Sequence, residues 1–253
     1  MRTADPARTG RPAPRRGRSF PAPGAVGGRA AVTAWHVQRL DPDDAEERAL
    51  RRMGARAVAG VDEVGRGSLA GPVVAGAVIL PAGWIPAGVR DSKLLKAAAR
   101  ERLDAEIRAR AVAWAIGVVG PALIDRMNIL QATVLASQLA IARLGVRPDA
   151  LLLDALEIAY LHMVQRSLVG ADRLCASVAA ASIVAKVARD RMMDAYEAEF
   201  PGYGFARNRG YAAPEHLAGL RALGPTLIHR RTFLHVEVVD DCVQDRFWEE
   251  IDG

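Results

Sequence analysis

The feature that most limits the fold is an apolar segment that runs directly into two acidic residues. Residues 57–61 are apolar or glycine and lead into Asp62 and Glu63, and a glycine-rich turn separates this pair from a second apolar segment, residues 72–80. Short apolar runs bounded by glycine and proline are typical of buried strands. The pattern therefore predicts two neighbouring buried strands with a carboxylate pair between them.

The order of the other patterned segments limits the architecture further. Helical patterns cover residues 41–53, 97–110, 123–144 and 177–200, and strand patterns cover residues 111–118 and 150–153. The last of these strands is wholly apolar and stops at Asp154. Strands followed by a helix and then a strand ending in an acid predict a three-layer α/β fold around a mixed sheet. We expect this core to span residues 36–200, and residues 201–253 to add loops and short helices.

Composition sets the N-terminal segment apart. Residues 1–35 are rich in proline, glycine and alanine and hold seven arginines against the single acid Asp5. A segment with so few large apolar side chains is expected to be disordered. It is either a basic tether for nucleic acid or a solvated tail, such as an extension from an over-long gene start. Because the positive charge is concentrated there, the net charge of +5 does not by itself indicate nucleic-acid binding.

Cysteine usage and hydropathy suggest the compartment. The two cysteines, Cys175 and Cys242, are far apart and lack the spacing of a metal site. No convincing secretion signal or membrane span is present, because glycines and prolines interrupt the longest apolar stretch. We therefore expect a reduced, cytoplasmic protein with no membrane partner, acting as a monomer.

Four carboxylates are candidates for chemistry. Asp62 and Asp154 end apolar strands, where a carboxylate is costly unless it is paired or bound to a cation. Asp190 shares one helix face with Ser182 and Lys186, at spacings of four and eight residues. If these acids and Glu63 converge, hard divalent cations such as Mg²⁺ or Mn²⁺ are the natural counter-charge, and two of them could hydrolyse a phosphodiester.

Each acid also has a simpler interpretation. Asp62 and Glu63 could be a solvated surface pair, Asp154 could cap the next segment, and Asp190 could form a surface ion pair. Adjacent strand residues point to opposite faces, so Asp62 and Glu63 share a site only where the strand ends or twists. The glycines that follow make such an ending plausible.

Several segments resemble the ribonuclease HII family, in the order of its motifs. They are Ala59–Gly67 with Leu69–Val73, Asp91–Leu94, Asp154 at a strand end, Ser177–Val187 with Arg189–Met193, Pro201–Phe205, Gly210-Tyr211, His216, and Gly224-Pro225 through His229-Arg230-Arg231-Phe233. The resemblance covers roughly residues 45–235. It implies a ribonuclease H-like fold and a Mg²⁺- or Mn²⁺-dependent endonuclease that acts on RNA–DNA hybrids and on ribonucleotides embedded in duplex DNA.

The resemblance also assigns roles to individual residues. It implies that the metal-binding and catalytic acids are Asp62, Glu63, Asp154 and Asp190, that Gly65, Arg66 and Gly67 form the substrate-reading loop, and that Tyr211 senses the junction. Glycines let a backbone approach a sugar closely, and only the 2′-hydroxyl marks a ribonucleotide. An aromatic ring such as Tyr211 could stack on the neighbouring deoxyribose. Without the motif, the glycines would be ordinary turn residues and Tyr211 a partly buried core residue.

Lysine usage offers an independent indication about phosphate binding. The chain has 34 basic residues, and only Lys93, Lys96 and Lys186 are lysines. Two of these fall in the matching motifs, beside Ser92 and Ser182. A compact ammonium suits a phosphate next to metal ions, so we predict that Lys93, Lys186 and the two serines position phosphate.

Three positions depart from the family pattern. Ala155 and Ala212 stand where glycine is common, and Ala213 stands where threonine is common, so the lost hydroxyl at Ala213 puts one substrate or structural hydrogen bond in doubt.

Two other functions compete with this interpretation. A Holliday-junction resolvase would need no sensor for a 2′-hydroxyl, which Arg66 and Tyr211 indicate. A non-catalytic hybrid-binding protein would lack some of the four acids. The hypothesis is therefore two-metal hydrolysis that leaves 3′-hydroxyl and 5′-phosphate ends.

Overall fold

The computed structural model describes residues 41–159, 161 and 163–233, so the predicted tail over residues 1–35 lies outside the described residues. The helices are α1 (Ala45–Arg52), α2 (Ala97–Arg110), α3 (Pro121–Met127), α4 (Ile129–Ala142), α5 (Ala176–Glu199), α6 (Phe205–Asn208) and α7 (Pro214–Leu223). The strands are β1 (Val58–Val64), β2 (Val73–Ile79), β3 (Ala113–Val119), β4 (Ala150–Asp154) and β5 (Val164–Leu168). Within these residues, no helix is long and apolar enough to cross a membrane.

The described strands form one mixed sheet in the order β3-β2-β1-β4-β5. β1, β2 and β3 pair antiparallel, whereas β4 pairs parallel with both β1 and β5. Val61 of β1 lies opposite Leu153 of β4. Asp62 and Asp154 each come one residue later, so the two strands present these acids at the same level of the sheet.

Helices cover both faces of the sheet. Alanines of α4 pack on one face, and α5 packs on the other, where it contacts α2. Leu151, Leu152 and Leu153 of β4 are completely buried, as expected for a parallel strand covered on both sides. Each such side chain contributes about 1.5–3 kcal/mol of burial free energy. The predicted three-layer α/β fold around a mixed sheet is confirmed.

Two glycines let α5 lie unusually close to the sheet. A Cβ atom at Gly60 of β1 would be 2.2 Å from the Ser177 carbonyl carbon, and one at Gly76 of β2 would be 2.4 Å from the Ala181 carbonyl oxygen. Side chains at these two strand positions are therefore excluded by the helix backbone itself. This contact sets the distance between α5 and Asp62, because Asp62 of β1 pairs with Gly76 of β2.

The C-terminal elements pack against the turn between β1 and β2. Leu69 from that turn and Met193 from α5 are buried together with Tyr203, Phe205 and Leu220 from the region of α6 and α7. This small core explains how residues far along the chain reach the segment that follows the acidic pair. The helical C-terminal appendage therefore lies next to the candidate site.

Three segments differ from their predicted boundaries. β1 continues through Val64, because Asp62 and Glu63 remain paired with Gly76 and Ala75 of β2. The helical segment over residues 123–144 is broken at Asn128, whose φ of 70° ends α3 and whose side chain caps α4. β5 was not predicted, since its central residues are polar and it lies at the sheet edge.

Candidate active site

Asp62 lies on the face of β1 that meets α5. It is 8% exposed, and Ser182 of α5 donates a hydrogen bond to its carboxylate. Because Gly60 two residues earlier contacts the same helix, the alternation of the strand places Asp62 under α5. The close approach of helix and strand therefore brings Ser182 to Asp62.

Glu63 points to the other face of the strand. Its side chain is partly exposed, and Arg66 donates a hydrogen bond of 3.1 Å to it. The strand does not end at Glu63, so the two adjacent acids do not turn toward one face. They lie on opposite sides of the same strand end, and their charges still interact.

Asp154 occupies the end of β4, beside Asp62. Its carboxylate accepts hydrogen bonds from the backbone N–H groups of Gly170 at 2.8 Å and Ala171 at 3.2 Å. These two groups begin the short 3-10 turn Ala171–Arg173, so Asp154 also acts as the cap that the sequence left as an alternative. That turn carries a further acid, Asp172, toward the same region.

The acids perturb one another strongly. Burial, followed by the charges of Glu63, Asp172 and Asp154, raises the pKa of Asp62 well above its ordinary value. Burial is also the main cause that raises the pKa of Glu63 and of Asp172. Clustered carboxylates without a counter-charge repel each other and favour protonation. The end of β1 and β4 is therefore a site of unbalanced negative charge.

Asp172 was not among the predicted site residues. It is 4% exposed and interacts with Asp91 and Asp154, while the positive charges of Lys93 and Arg173 partly compensate it. No sequence pattern marks this residue, since it follows a polar edge strand. Its position follows only from the parallel pairing of β5 with β4, which returns the chain to the site.

Asp190 has a different environment from the other three predicted acids. Lys186 donates to it at 2.5 Å, and the guanidinium groups of Arg100 and Arg209 lie 3.6 and 3.7 Å away. Three cations therefore surround this carboxylate, whereas Asp62 and Asp154 form no ion pair within the described part of the chain. Lys186 therefore forms an ion pair with Asp190, and both residues lie on the helix face that their spacing predicted.

The donor set suits a hard divalent cation. Asp62, Glu63 and Asp154 offer only carboxylate oxygens, and the raised pKa of Asp62 shows that a positive charge is lacking there. In the ranges that the structure describes, no group of three or more carboxylate, histidine or cysteine side chains is already arranged around one metal position. The chemistry of these residues fits a divalent metal ion.

The predicted phosphate-positioning groups lie in two places. The hydroxyl groups of Ser92 and Ser182 are buried and 3.0 Å apart, so Ser92 extends the hydrogen-bond chain that begins at Asp62. Lys93 is exposed, and its charge acts on Asp172. The two serines are therefore hydrogen-bonded to each other and, through Ser182, to Asp62, whereas Lys93 acts on Asp172 and Lys186 contacts Asp190.

The glycine loop, Gly65 to Gly67, and Tyr211 are neighbours in the structure. A Cβ atom at Gly67 would be 3.9 Å from the Tyr211 ring, which is 40% exposed. Gly65 has a φ of +89°, and a Cβ atom there would be 2.2 Å from the Arg189 side chain. Arg66 is exposed at the apex of the loop. The loop and the aromatic ring form one surface next to Glu63.

Two buried arginines hold this surface in place, and sequence reasoning missed both. Arg189 donates to the Pro72, Ala70 and Arg209 carbonyl groups and to the Ser68 hydroxyl. Arg230 donates to the carbonyl groups of Gly65, Arg66 and Gly71. Both arginines lie inside the matching motifs, but a sequence does not reveal that an arginine is completely buried. They shape the loop from beneath and leave its outer side open.

Two of the three departures lie at positions with a clear structural demand. Ala155 has a φ of 46°, a left-handed conformation that glycine adopts without strain. Ala213 is the N-cap residue of α7 and makes no side-chain capping hydrogen bond. Threonine at an N-cap would satisfy a free N–H group of the first turn, so a hydroxyl at residue 213 would cap α7.

Comparisons with known proteins agree with this geometry. The family model described as Ribonuclease HII matches residues 59–236. The chain is 51% identical over 204 residues to ribonuclease HII of Moorella thermoacetica, covering 81% of this chain and 99% of that protein. It is also 51% identical over 202 residues to ribonuclease HII of Geobacter metallireducens, covering 77% and 95%. The crystal structure of ribonuclease H2 from Pyrococcus horikoshii superposes with a TM-score of 0.65 at 25% identity, covering 75% of this chain and 99% of that one.

Proposed function

This chain belongs to the ribonuclease HII family of metal-dependent endoribonucleases, which act on RNA–DNA hybrids, and on that premise we propose that it also cuts duplex DNA at single embedded ribonucleotides. The observation that carries the proposal is the position of the acid cluster. Asp62, Glu63 and Asp154 adjoin a glycine loop that faces the exposed ring of Tyr211. Cleavage and recognition of a 2′-hydroxyl can therefore occur within one nucleotide of each other.

The acids would share the work of holding two divalent ions. Asp62 and Asp154 would be the central ligands, and Glu63 and Asp190 would complete the site. When bound, Mg²⁺ or Mn²⁺ supplies an activated water and stabilises the leaving oxygen of the phosphodiester, giving 3′-hydroxyl and 5′-phosphate ends. Lys186, Arg100 and Arg209 hold the Asp190 carboxylate in place until then.

The remaining residues bind and orient the nucleic acid. Gly67 lets backbone groups approach the ribose, because a side chain there would lie on the Tyr211 side of the loop. Gly65 lets the loop adopt its positive φ above Arg189, with its backbone groups turned to the substrate. Tyr211 stacks on the following deoxyribose and leaves no room for a second 2′-hydroxyl. Lys93 and Lys186 attract the phosphate groups, with Ser92 and Ser182 ordering Asp62 behind them.

The decisive experiment compares three duplexes in Mg²⁺ or Mn²⁺ buffer. One holds a single ribonucleotide, the second is a long RNA–DNA hybrid, and the third is all DNA. We expect cleavage of the first two, at the ribonucleotide, and none of the third. Equal cleavage of the first and third duplexes, or of neither, would refute the proposal. Chelation of the metal should abolish all cleavage, and adding Mg²⁺ back should restore it.

A further inference from the structure

Two buried histidines face each other next to the substrate-reading surface. His216 of α7 is 0% exposed and His229 is 2% exposed, and their Nε2 atoms are 3.1 Å apart. The proposed reaction gives neither residue a role. A contact between two imidazole nitrogens needs one proton, and the neighbouring groups determine which ring supplies it.

The backbone fixes the tautomers of both rings. The Thr226 N–H group donates to His229 Nδ1 at 2.9 Å, so this nitrogen carries no proton. A neutral His229 then carries its proton on Nε2 and donates it to His216 Nε2. His216 must in turn carry its own proton on Nδ1, which lies 2.8 Å from the Tyr211 carbonyl oxygen. The chain of donors therefore runs in one direction, from Thr226 to Tyr211.

The surroundings keep both rings neutral. Tyr203 and Phe205 pack against both imidazoles, with centroid distances from 5.1 to 6.3 Å. Burial lowers the pKa of His216, and burial followed by the His216 charge lowers the pKa of His229 to about 4. The other charges that act on the pair are Glu215, next to His216, and Arg231, next to His229. At neutral pH the relay therefore holds its single arrangement.

The relay ends on the residue that forms the edge of the reading surface. The Tyr211 carbonyl accepts from His216 and from the Ala213 N–H group, while the preceding Gly210 carbonyl accepts from Leu69 in the loop between β1 and β2. Tyr211 is therefore held on one side by the glycine loop and on the other by the histidines. Its ring lies free to meet the substrate between these two anchors.

We propose that His216 and His229 are positioning residues that hold Tyr211 for recognition of the deoxyribose next to a ribonucleotide. The proposal rests on the function proposed above. It assigns the pair to discrimination at the junction and gives it no part in hydrolysis. Within a long hybrid the neighbouring sugar is a ribose, so cleavage there does not use the contact with Tyr211.

The test replaces His216 in two ways. His216→Leu removes the donor to Tyr211, whereas His216→Asn keeps an amide N–H at the position of Nδ1. We expect His216→Leu to lower kcat/KM on the single-ribonucleotide duplex by roughly fivefold to tenfold, as the loss of one buried hydrogen bond implies, with less than about a twofold change on a long hybrid. His216→Asn should recover most of the loss. In a Tyr211→Ala background, His216→Leu should not further alter the ratio of kcat/KM on the single-ribonucleotide duplex to kcat/KM on the long hybrid.

Other outcomes would refute the positioning role of His216 and His229. If both substrates lose activity equally, or if the asparagine and leucine variants behave alike, the pair has only a structural role. Nitrogen chemical shifts of ¹⁵N-labelled histidine in the wild-type protein provide a test that needs no variant to fold. They should show the proton of His216 on Nδ1 and that of His229 on Nε2, and the opposite tautomers would refute the proposal. Wild-type cleavage of the single-ribonucleotide duplex but not of DNA keeps the proposed function standing in either case.

Discussion

Replacing Gly76 by alanine tests whether the distance between α5 and the sheet controls catalysis. The new Cβ atom would lie 2.4 Å from the Ala181 carbonyl oxygen, whereas carbon–oxygen contacts normally begin near about 3.3 Å. The helix must therefore withdraw by roughly 1 Å. Ser182 follows Ala181 directly, so its hydrogen bond to Asp62 would lengthen by a similar amount. No acid and no substrate-binding side chain is changed.

The expected magnitudes follow from this displacement. Overpacking of a buried contact costs about 1–3 kcal/mol of unfolding free energy. A misplacement of about 1 Å between groups of an active site reduces the rate by about 100-fold. The assay is the initial rate of hybrid cleavage in Mg²⁺, measured well below the melting temperature of the variant, so that loss of activity is not loss of folded protein.

A matched variant separates this effect from the addition of a methyl group. Gly145 has no atom within 4 Å of the position that a Cβ would take, so Gly145→Ala should retain wild-type activity and stability. If Gly76→Ala cleaves at more than half of the wild-type rate, the close contact between helix and sheet does not set the geometry of the site. The inference that glycine is needed to bring Ser182 to Asp62 would then be wrong.

Three further predictions concern charge, acidity and helix capping. Asp62→Asn should abolish cleavage yet raise the melting temperature in chelator, because a neutral amide avoids the burial cost and the repulsion that raise the pKa of Asp62. Mg²⁺ should no longer stabilise the variant as it does the wild type. The His229 pKa falls from 6.5 to about 4 on folding, so the unfolded state binds the proton first and stability is lost as the pH falls from 6.5 toward 4. Integrated over that interval, the loss of unfolding free energy is about 3 kcal/mol. The measurement is urea unfolding of the wild type and of His229→Gln at each pH. A difference in unfolding free energy that does not change with pH would contradict a neutral buried His229. Ala213→Thr should stabilise the protein by about 1 kcal/mol in the same assay, with Ala212→Thr, outside the helix, as the control.

The fold was largely predictable because its elements have strong local patterns. Residues 97–110 form a helix with the predicted limits, and the wholly apolar strand that stops at Asp154 is β4. The missed strand, β5, is polar and depends on its neighbour for hydrogen bonds. The break at Asn128 depends on one residue with positive φ, which a helical pattern does not reveal.

The candidate site was predictable in its residues but not in its electrostatic arrangement. Strand ends and helix spacing indicated Asp62, Asp154 and Asp190, and the family motifs indicated the reading loop. The four-residue spacing indicated Lys186 beside Asp190, but Arg100 comes from α2 and Arg209 from the segment after α6, so no local pattern connects these two arginines with Asp190. Asp172 likewise joins the acids only through the pairing of strands.

Buried charges of opposite sign play different parts in this protein. Backbone carbonyls satisfy Arg189 and Arg230, so the reading loop keeps its shape without any ligand. Asp62 has one serine hydroxyl as a donor and several carboxylates nearby, so its charge is left uncompensated. A buried charge that is fully hydrogen-bonded is tolerated. A buried charge that lacks such hydrogen bonds favours the binding of an ion of opposite charge. Under the proposed function, the protein itself holds the glycine loop and Tyr211 in place, while cations would complete the acid cluster, so metal binding would be the step that allows a bound ribonucleotide to be cleaved.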